Sequence, residues 1–363
     1  MLFSWKKLAA GSLFGVCLQF SLSAMGQEEQ PSSKAAKPNQ LAVDGAPTKA
    51  IEEFVAPDKE LAKEMAHAEE SEPYRLKGFY MAADYYLARP RRDALDFAIV
   101  SNSPLGVVSG YTQSLYLETR SGFKFTMGKV LRDGWDINLS YFYLHSSDNQ
   151  TINAPPRGAL YSTLSNNTFD DVASATAMAN LNYNVIDIDA SREFQPAENF
   201  LLRVIGGGRF AWIDQNFSAI YNGGSLGATN DFVSSPVYFS GAGLTAGAEG
   251  TWACTEHFGL YGRAKGGILA GQFRNFLTET NNNGEVTFYN LVDKYQELVP
   301  VMELGAGLII KKDHLHLKIG YELVNYFNMV NSLDFQALSF GKITRRMSDL
   351  SLEMLLIQGG ITF

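Results

Sequence analysis

Apolar and polar residues alternate with a period of two, segment after segment, across residues 78–363. In one segment Trp135 and Ile137 fall on one face, whereas Asp136 and Asn138 fall on the other. A period of two places successive side chains on opposite faces of a β-strand, so the pattern predicts strands with one apolar and one polar face. No apolar run of 18 or more residues follows the N-terminal segment, which excludes a bundle of transmembrane helices.

The composition fits two kinds of β-protein. The chain is 46% hydrophobic and contains 33 glycines, and its mean hydropathy is −0.09. A soluble β-protein and a transmembrane barrel both alternate, and barrels also keep their mean hydropathy near zero. Two cysteines, Cys17 and Cys254, are too few for a disulfide scaffold. The net charge of −8 disfavours nucleic acid as a partner, because phosphate binding needs concentrated Lys and Arg.

The lengths of the connections separate these two classes. The short ones are 130–134, 195–198, 254–257 and 311–314. The long ones, rich in Asn, Ser, Thr and Gly, are 147–177, 222–235, 277–293 and 329–349. Short turns at one end and long loops at the other are typical of outer-membrane barrels. The sequence therefore predicts an all-β fold, a transmembrane antiparallel β-barrel.

Counting the alternating segments predicts ten strands, with both termini at the end that carries the short turns. The predicted strands are 78–88, 116–129, 135–146, 178–193, 198–215, 236–253, 257–274, 295–311, 314–328 and 350–363. Residues 95–101 could join a further pair and make twelve. In strand 178–193 the phase of the alternation breaks, and a β-bulge near Val185 and Ile186 would restore it.

The N-terminal part of the chain differs in composition from the rest. Residues 1–26 have two lysines, then an apolar run, then Ala24-Met25-Gly26, the pattern of a cleaved secretory signal peptide. Residues 27–73 are acidic and poor in aromatics, which predicts a disordered or partly helical periplasmic tail. A plug of the barrel lumen and a tether to the cell wall are alternative roles for this tail. Residues 74–363 form the predicted barrel, placed in a Gram-negative-type outer membrane after Sec-dependent export.

Aromatic residues gather near the ends of the predicted strands, where the membrane meets water. The strongest candidates for this interface are Trp135, Trp212, Trp252 and Phe258. Phe363 ends the last alternating strand, and a terminal aromatic residue there resembles the assembly signal of Gram-negative outer-membrane barrels. Gly359 departs from that signal, because a larger apolar residue is usual at this position.

Several stretches form a recognisable series along the chain: Gly78 to Tyr86, Asp133 to Ile137, Asn184 to Arg192, Gly206 to Asp214 with its Arg209-Phe210-Ala211-Trp212-Ile213-Asp214, Gly320-Tyr321-Glu322 and the closing strand. In this order they resemble the Legionella major outer-membrane protein family, which also occurs in environmental chlamydiae and planctomycetes. The resemblance covers about residues 78–363, and the acidic tail lies outside it. Membership would imply an outer-membrane β-barrel that forms an aqueous pore. The family supplies no catalytic constellation.

Charged residues recur on the polar faces of the predicted strands and are candidates for lining the lumen. The cations are Arg120, Lys124, Arg203, Arg209, Arg263, Lys265 and Lys318, and the anions are Asp84, Asp136, Glu249, Glu297, Glu303 and Glu322. Facing rows of opposite charge are typical of a porin constriction that discriminates solutes by charge. Alternatively, the charges pair and close a narrow barrel, since small barrels are often filled by their own side chains.

The sequence thus predicts a porin-like protein for passive diffusion of ions and small polar solutes, with a closed structural or adhesive barrel as the alternative. An outer-membrane hydrolase is a remote third, because His145 with Ser146, Ser147 and Asp148 is the only suggestive group and adjacent strand residues point apart. We therefore predict no enzyme, cofactor or metal. Residues 241–247 are glycine-rich, but their third glycine is one place late for a dinucleotide loop.

The expected partners follow from this placement. They are outer-membrane lipid, lipopolysaccharide, the barrel-assembly machinery and small polar solutes, and an oligomer is possible. The sequence leaves open whether the lumen is open, which solutes it selects and what the tail does.

Overall fold

The structure, a computed structural model, describes residues 78–103, 109–131, 134–165, 171–312, 314–335 and 343–363. The expected signal peptide and acidic tail lie outside these residues. In the described part of the chain, no helix is long and apolar enough to cross a membrane.

The described residues form fourteen β-strands. They are β1 Phe79–Arg92, β2 Asp96–Ser101, β3 Gly110–Ser114, β4 Arg120–Val130, β5 Trp135–Asn153, β6 Ala159–Ser162, β7 Ser174–Ala197, β8 Phe200–Asn222, β9 Asn230–Ser234, β10 Val237–Ala253, β11 Phe258–Asn281, β12 Val286–Lys312, β13 Leu315–Phe335 and β14 Ile343–Thr362.

Ten of these strands close into an antiparallel barrel in the order β1, β4, β5, β7, β8, β10, β11, β12, β13 and β14. The ring closes where β14 pairs with β1, from Tyr80 opposite Thr362 to Arg92 opposite Leu350. Closure lets the strands satisfy each other's backbone hydrogen bonds, which a strand that crosses a membrane requires. The predicted ten-stranded barrel is confirmed.

The small strands do not enlarge the ring. β2, which contains most of residues 95–101, pairs with β3 and β6 in a separate three-stranded sheet, so it does not raise the barrel to twelve strands. β9 pairs with β8 and β11 at the end of the barrel away from the short turns.

The four short connections agree with the prediction, but two of the predicted long loops, 277–293 and 329–349, are mostly strand. β11 continues to Asn281 and β12 starts at Val286, so 277–293 is a hairpin rather than a loop. Its turn contains Asn283 and Gly284, both with positive φ. The prediction of long loops is wrong here because polar residues such as Thr, Asn and Gln mark strands exposed to water as well as loops.

Strand β7 shows why the alternation changes phase. Its register with β5 and β8 runs without a break past Val185 and Ile186, so the predicted bulge is wrong. Leu181, Tyr183 and Val185 point inward and are buried, and farther along the strand Asp187 takes the same inward direction. The side chains keep alternating, but the inward face changes from apolar to charged.

The same inversion occurs on β5 and β8. On β5 the inward residues change from Asp136 to Phe142 and Leu144, and on β8 they change from Arg209 to Ile213. On the short-turn side of this boundary the outward residues are large, apolar and exposed, as a surface in contact with lipid requires. We call this part of the barrel the membrane half and the part beyond it the extension.

The extension has an apolar core of the kind found in water-soluble proteins. Phe239 and Phe273 pack at 4.9 Å between ring centroids, and Tyr295 stacks on Phe273 at 5.0 Å. The three-stranded sheet contacts the same interior, since Tyr221 on β8 donates a hydrogen bond of 2.6 Å to the carbonyl of Phe97 on β2. The mouth of the barrel is therefore filled by protein.

Candidate functional site

The candidate site is the charged lumen of the membrane half. The predicted lumen-lining residues lie on inward-facing strand positions, and eight of the thirteen form ion pairs in the lumen, four of them in a single network. Two lie outside the lumen of the membrane half. Arg120 is part-exposed and donates to the carbonyl of Ser147 at 2.9 Å, and Glu297 belongs to the extension.

Arg209 is the centre of the network. Its Nε and Nη2 each donate to one carboxylate oxygen of Asp187 at 2.6 Å, and its Nη1 forms an ion pair with Glu303. Arg263 lies 3.5 Å from the other oxygen of Glu303, and Lys265 lies 3.6 Å from Asp187. Bidentate pairing fixes the orientation of the guanidinium as well as its position.

Lys265 joins this group to a second carboxylate. Its Nζ donates to both oxygens of Asp189, at 2.8 and 2.9 Å. Sequence reasoning missed Asp187 and Asp189 as lumen residues. The signal was present, because Ile186 and Ile188 alternate with them, but the supposed bulge hid it.

A third group lies nearer the short turns. Arg203 forms an ion pair with Asp136 and donates through Nε to the hydroxyl of Ser191 at 2.6 Å. Tyr80 donates to Asp136 at 2.6 Å and accepts from Arg203 at 3.2 Å. Tyr80 was not predicted, since a tyrosine on a strand gives no sign of the partner its hydroxyl will meet.

The remaining predicted anions also have partners. Lys318 donates to Glu249 at 2.6 Å. Glu322 accepts from Tyr86 at 3.1 Å, and Asp84 accepts from the amide of Gln358 at 2.7 Å. Pairing of this kind compensates for the loss of hydration that each buried charge suffers.

A cavity of about 130 Å³ lies among these groups. Its charged and titratable lining residues are Tyr80, Lys124, Asp189, Glu193, Arg203, Glu249, Arg263, Lys311, His316 and Lys318. A polar cavity of this size holds several water molecules. The lumen of the membrane half is therefore polar and partly hollow.

A chain of aromatic rings lies at the boundary between this polar lumen and the extension. Tyr86 packs on Phe142 at 4.9 Å, Phe142 on Tyr183 at 5.2 Å, and Tyr183 on Tyr326 at 5.9 Å. The hydroxyls of Tyr183 and Tyr326 are 2.7 Å apart, and Arg209 donates to Tyr326 at 3.4 Å. We call these four rings the aromatic layer. They close the polar lumen on the side of the extension.

The proposed interface aromatics face outward. Trp135, Trp252 and Phe258 lie beside short turns, and Trp212 lies at the boundary between the membrane half and the extension. This arrangement is compatible with two aromatic girdles. Phe363 pairs with β1 through its backbone, donating to the carbonyl of Phe79 at 2.7 Å. The roles predicted for these residues remain predictions.

The histidine considered for catalysis lies on the outside of the barrel. Its Nδ1 is 2.6 Å from the amide oxygen of Asn182. Ser146 next to His145 is buried and faces inward, so adjacent residues point apart as expected for a strand. Within the described ranges, no group of three or more His, Cys, Asp and Glu side chains is arranged to hold a metal ion.

The carboxyl of Asp231 in the extension has a strongly raised pKa. Asp231 is buried beside Glu279, whose Oε1 accepts from Ser165 at 2.6 Å. Burial, together with the charge of Glu279, raises the pKa of Asp231 to about 7.

Residues 66–361 match the family model of the Legionella pneumophila major outer membrane protein precursor. The chain belongs to the Legionella major outer-membrane protein family. The match spans every strand of the barrel apart from the last residue of β14, so it agrees with the resemblance noted in the sequence and places the protein in the outer membrane. A search of curated protein sequences gives no match.

The chain also resembles solved outer-membrane barrels at low identity. The outer membrane protease OmpT from Escherichia coli is 10% identical with a TM-score of 0.44, covering 79% of this chain and 97% of that one. The translocator domain of the autotransporter NalP from Neisseria meningitidis is 10% identical with a TM-score of 0.34, covering 84% and 95%. The toluene transporter TodX from Pseudomonas putida is 9% identical with a TM-score of 0.25, covering 80% and 91%. At this level the likenesses carry no argument about function.

Proposed function

We propose that the protein is an outer-membrane channel for passive diffusion of ions and small polar solutes. The observation that carries this proposal is the chemistry of the lumen in the membrane half. Its inward face carries charged residues on β1, β4, β5, β7, β8, β10, β11, β12 and β13 instead of an apolar core. Charged rings and rows are how membrane pores attract and sort ions.

A purely structural barrel does not need a charged lumen to be stable. Replacing buried ion pairs by well-packed apolar residues is often neutral or stabilising. The chain does use apolar packing inside the extension, around Phe239 and Phe273, so it has the means to fill a barrel in that way. Charges kept in the membrane half therefore favour a role in moving or selecting polar solutes.

The direction of the ion pairs determines the electric field that a solute would meet in the proposed pathway. Asp189 and Glu303 lie on β7 and β12, whereas their partners Lys265 and Arg209 lie on β11 and β8, so each of these pairs joins strands that are not neighbours in the ring. Such pairs set up a field across the lumen rather than along it. We expect this field to orient dipolar solutes and to discriminate weakly by the sign of charge.

A planar-bilayer recording of the full chain tests the proposal. We expect discrete conductance steps, and a shift of ion selectivity toward cations in Arg203→Glu, Arg209→Glu and Lys124→Glu. Lys124 is the most informative of the three, because it lines the cavity and is also partly exposed. We expect its replacement to disturb folding less than replacement of Arg203 or Arg209. Lys312→Glu is the matched control, since Lys312 is exposed at the short-turn end of β12 and should leave the selectivity unchanged.

The filled mouth of the barrel favours a second candidate, a closed barrel that acts through its outer surface. The aromatic layer and the three-stranded sheet both block a straight path through the lumen. A folded barrel that gives no steps at any voltage would contradict the channel and favour a structural or adhesive role. We do not propose His145 as a catalytic residue, because it lies on the outer face of the barrel and its Nδ1 contacts the amide oxygen of Asn182.

A further inference from the structure

The ends of β13 and β14 that lie farthest from the short turns leave the barrel wall. β13 pairs with β12 only from Leu315 opposite Lys312 to Tyr326 opposite Val301. Beyond that point β12 continues to Val286, and among the described residues it pairs there with β11 alone. We call residues 327–335 of β13 and 343–349 of β14 the inner arms. They pair with each other, from Val330 opposite Ser348 to Phe335 opposite Ile343.

Two local features explain where the wall separates. Pro300, next to the last paired residue of β12, has no N–H to donate, so the ladder loses a hydrogen-bond donor there. Asn328 has φ of 54°, in the left-handed region, and the register between β13 and β14 shifts between Tyr326 and Val330. The bend at Asn328 turns the inner arms away from β12.

The inner arms lie across the lumen of the extension. Met329 and Val330 are fully buried, and Leu333 is nearly so. The amide of Gln215 donates to the backbone carbonyl of Met329 at 3.2 Å. Gln215 faces inward from β8, and at least three strands separate β8 from β13 around the ring in either direction. A side chain from the far wall therefore reaches the backbone of the arms.

Apolar packing and one part-exposed ion pair are among the contacts that hold the arms. Leu333 packs near Phe217, Val233 and Leu277 on the opposite wall, around a small residual cavity. At the outer edge, Arg345 forms an ion pair of 2.8 Å with Asp293 of β12 and lies 4.4 Å from the ring centroid of Tyr295. The ion pair is part-exposed, so it can break at low cost, because water can then hydrate the two separated charges.

We infer that the inner arms are a gate, hinged at Asn328, that swings out of the extension and pairs with the free edge of β12, here residues 292–299, which pair on that side with no strand among the described residues. Continuing the existing register would bring Val299 opposite Asn328 and Glu297 opposite Val330, which would satisfy backbone groups along that edge. The inference rests on the proposed channel, because an outward swing would remove the part of the plug that the arms form. In the open state, the inner arms of this same chain would therefore occupy the free edge of β12.

The test follows the arms directly and independently of conductance. Val233 is buried on the wall that the arms cover, so Val233→Cys, with Cys17 and Cys254 replaced by serine, reports their departure by its rate of maleimide labelling. In Asp293→Arg, which repels Arg345, we expect labelling at least tenfold faster. The charge swap Asp293→Arg with Arg345→Asp should restore the slow rate. Lys294→Asp, an exposed change next along the same strand, is the control and should have no effect.

A second variant removes the tie inside the lumen without changing any charge. Gln215→Leu abolishes the hydrogen bond to Met329 and should also speed the labelling of the cysteine introduced at position 233. Slow labelling in both Asp293→Arg and Gln215→Leu, in barrels that still show a heat-dependent shift on a gel, would overturn the gate. Fast labelling of the cysteine at position 233 without a rise in conductance would support the hinge at Asn328 and would contradict the proposed channel instead.

Discussion

At the scale of single residues, the lumen is organised around carboxylates that each meet a cation or a hydroxyl. Asp187 receives two hydrogen bonds from Arg209, and Asp136 receives one from Tyr80 in addition to its ion pair with Arg203. Removing one partner of a buried ion pair costs far more stability than replacing both partners by apolar residues, because the remaining partner is still charged and dehydrated. We expect a large loss of stability when Arg209 is replaced, because it pairs with two carboxylates, Asp187 and Glu303.

We expect Arg209→Met to destabilise the folded barrel by about 3 to 5 kcal/mol, since it leaves Asp187 and Glu303 short of their main cation. Urea unfolding in detergent micelles measures the change. Arg120→Met is the control, because the ion pair of Arg120 with Glu118 is exposed and should contribute less than about 1 kcal/mol. Equal losses in the two variants would show that the central pairs do not hold the lumen together.

The carboxyl of Asp231 predicts a pH dependence of stability. Its pKa is raised to about 7 in the folded chain, whereas an unfolded aspartate loses its proton near pH 4. The folded state therefore binds the extra proton between these values, and stability falls as the pH rises from about 4 to about 7. Above that range the buried charge remains a fixed penalty.

We expect Asp231→Asn to be more stable than the wild type at pH 8 by about 1 to 3 kcal/mol. The advantage should shrink toward pH 4, where both side chains are neutral. Unfolding midpoints between pH 4 and pH 8 measure the difference. The control Asp148→Asn should keep the wild-type slope, because Asp148 is not buried. A constant difference between Asp231→Asn and wild type at all pH values would contradict the prediction.

At the scale of the elements, each long strand passes through two environments without losing its alternation. On β7 the outward residue is Asn180 in the extension and Ile188 in the membrane half. The inward residues change in the opposite sense, from Tyr183 to Asp187. The hydrophobic effect decides both changes, because the apolar face is the inner one where water surrounds the barrel and the outer one where lipid does.

This inversion predicts that the same substitution destabilises the barrel at one position on the outward face of β7 and is nearly neutral at another. Ile188→Lys should cost about 2 to 4 kcal/mol in a bilayer, because it places a charge against lipid. Asn180→Lys, eight residues away on the same outward face, should stay within about 0.5 kcal/mol. Unfolding of both variants in lipid vesicles tests the contrast. Equal costs would mean that the boundary between membrane half and extension lies elsewhere.

At the scale of the whole molecule, one closed sheet carries two different interiors, separated by the aromatic layer. The membrane half is held by ion pairs and lipid contact, and the extension by an apolar core that includes the three-stranded sheet. Regions with separate cores can open separately. The free edge of β12 and the hinge at Asn328 both belong to the extension, so we expect it to be the less stable part.

Phe273→Ala tests that division. Phe273 is fully buried between Phe239 and Tyr295, so its removal should cost about 3 to 5 kcal/mol within the extension. We expect faster proteolysis of the extension while the heat-dependent gel shift of the membrane half persists. Leu298→Ala, on the exposed outward face of β12, is the control. Loss of the gel shift in Phe273→Ala would show that the barrel unfolds as a single unit.

Much of the fold was predictable because alternation is a local property. Ten strands and short turns at one end follow from residues such as Trp135 and Ile137, whose direction depends only on their place in the strand. The inward direction of Arg203, Arg209 and Lys265 followed in the same way. The bulge at Val185 was wrong because the reasoning assumed one environment for a whole strand.

What the sequence by itself determined is a set of ten alternating strands with short turns at one end, and the strand face on which charges such as Arg203 and Arg209 lie, because a period of two sets the direction of each side chain. Only the tertiary structure decided which charges meet, since Arg209 and Asp187 come together through the register of β7 and β8, and Glu303 reaches them across the lumen. It also decided that the inner arms leave the wall at Asn328. The physical reason is that these contacts join strands far apart in the chain, and no local pattern encodes the distance across a barrel.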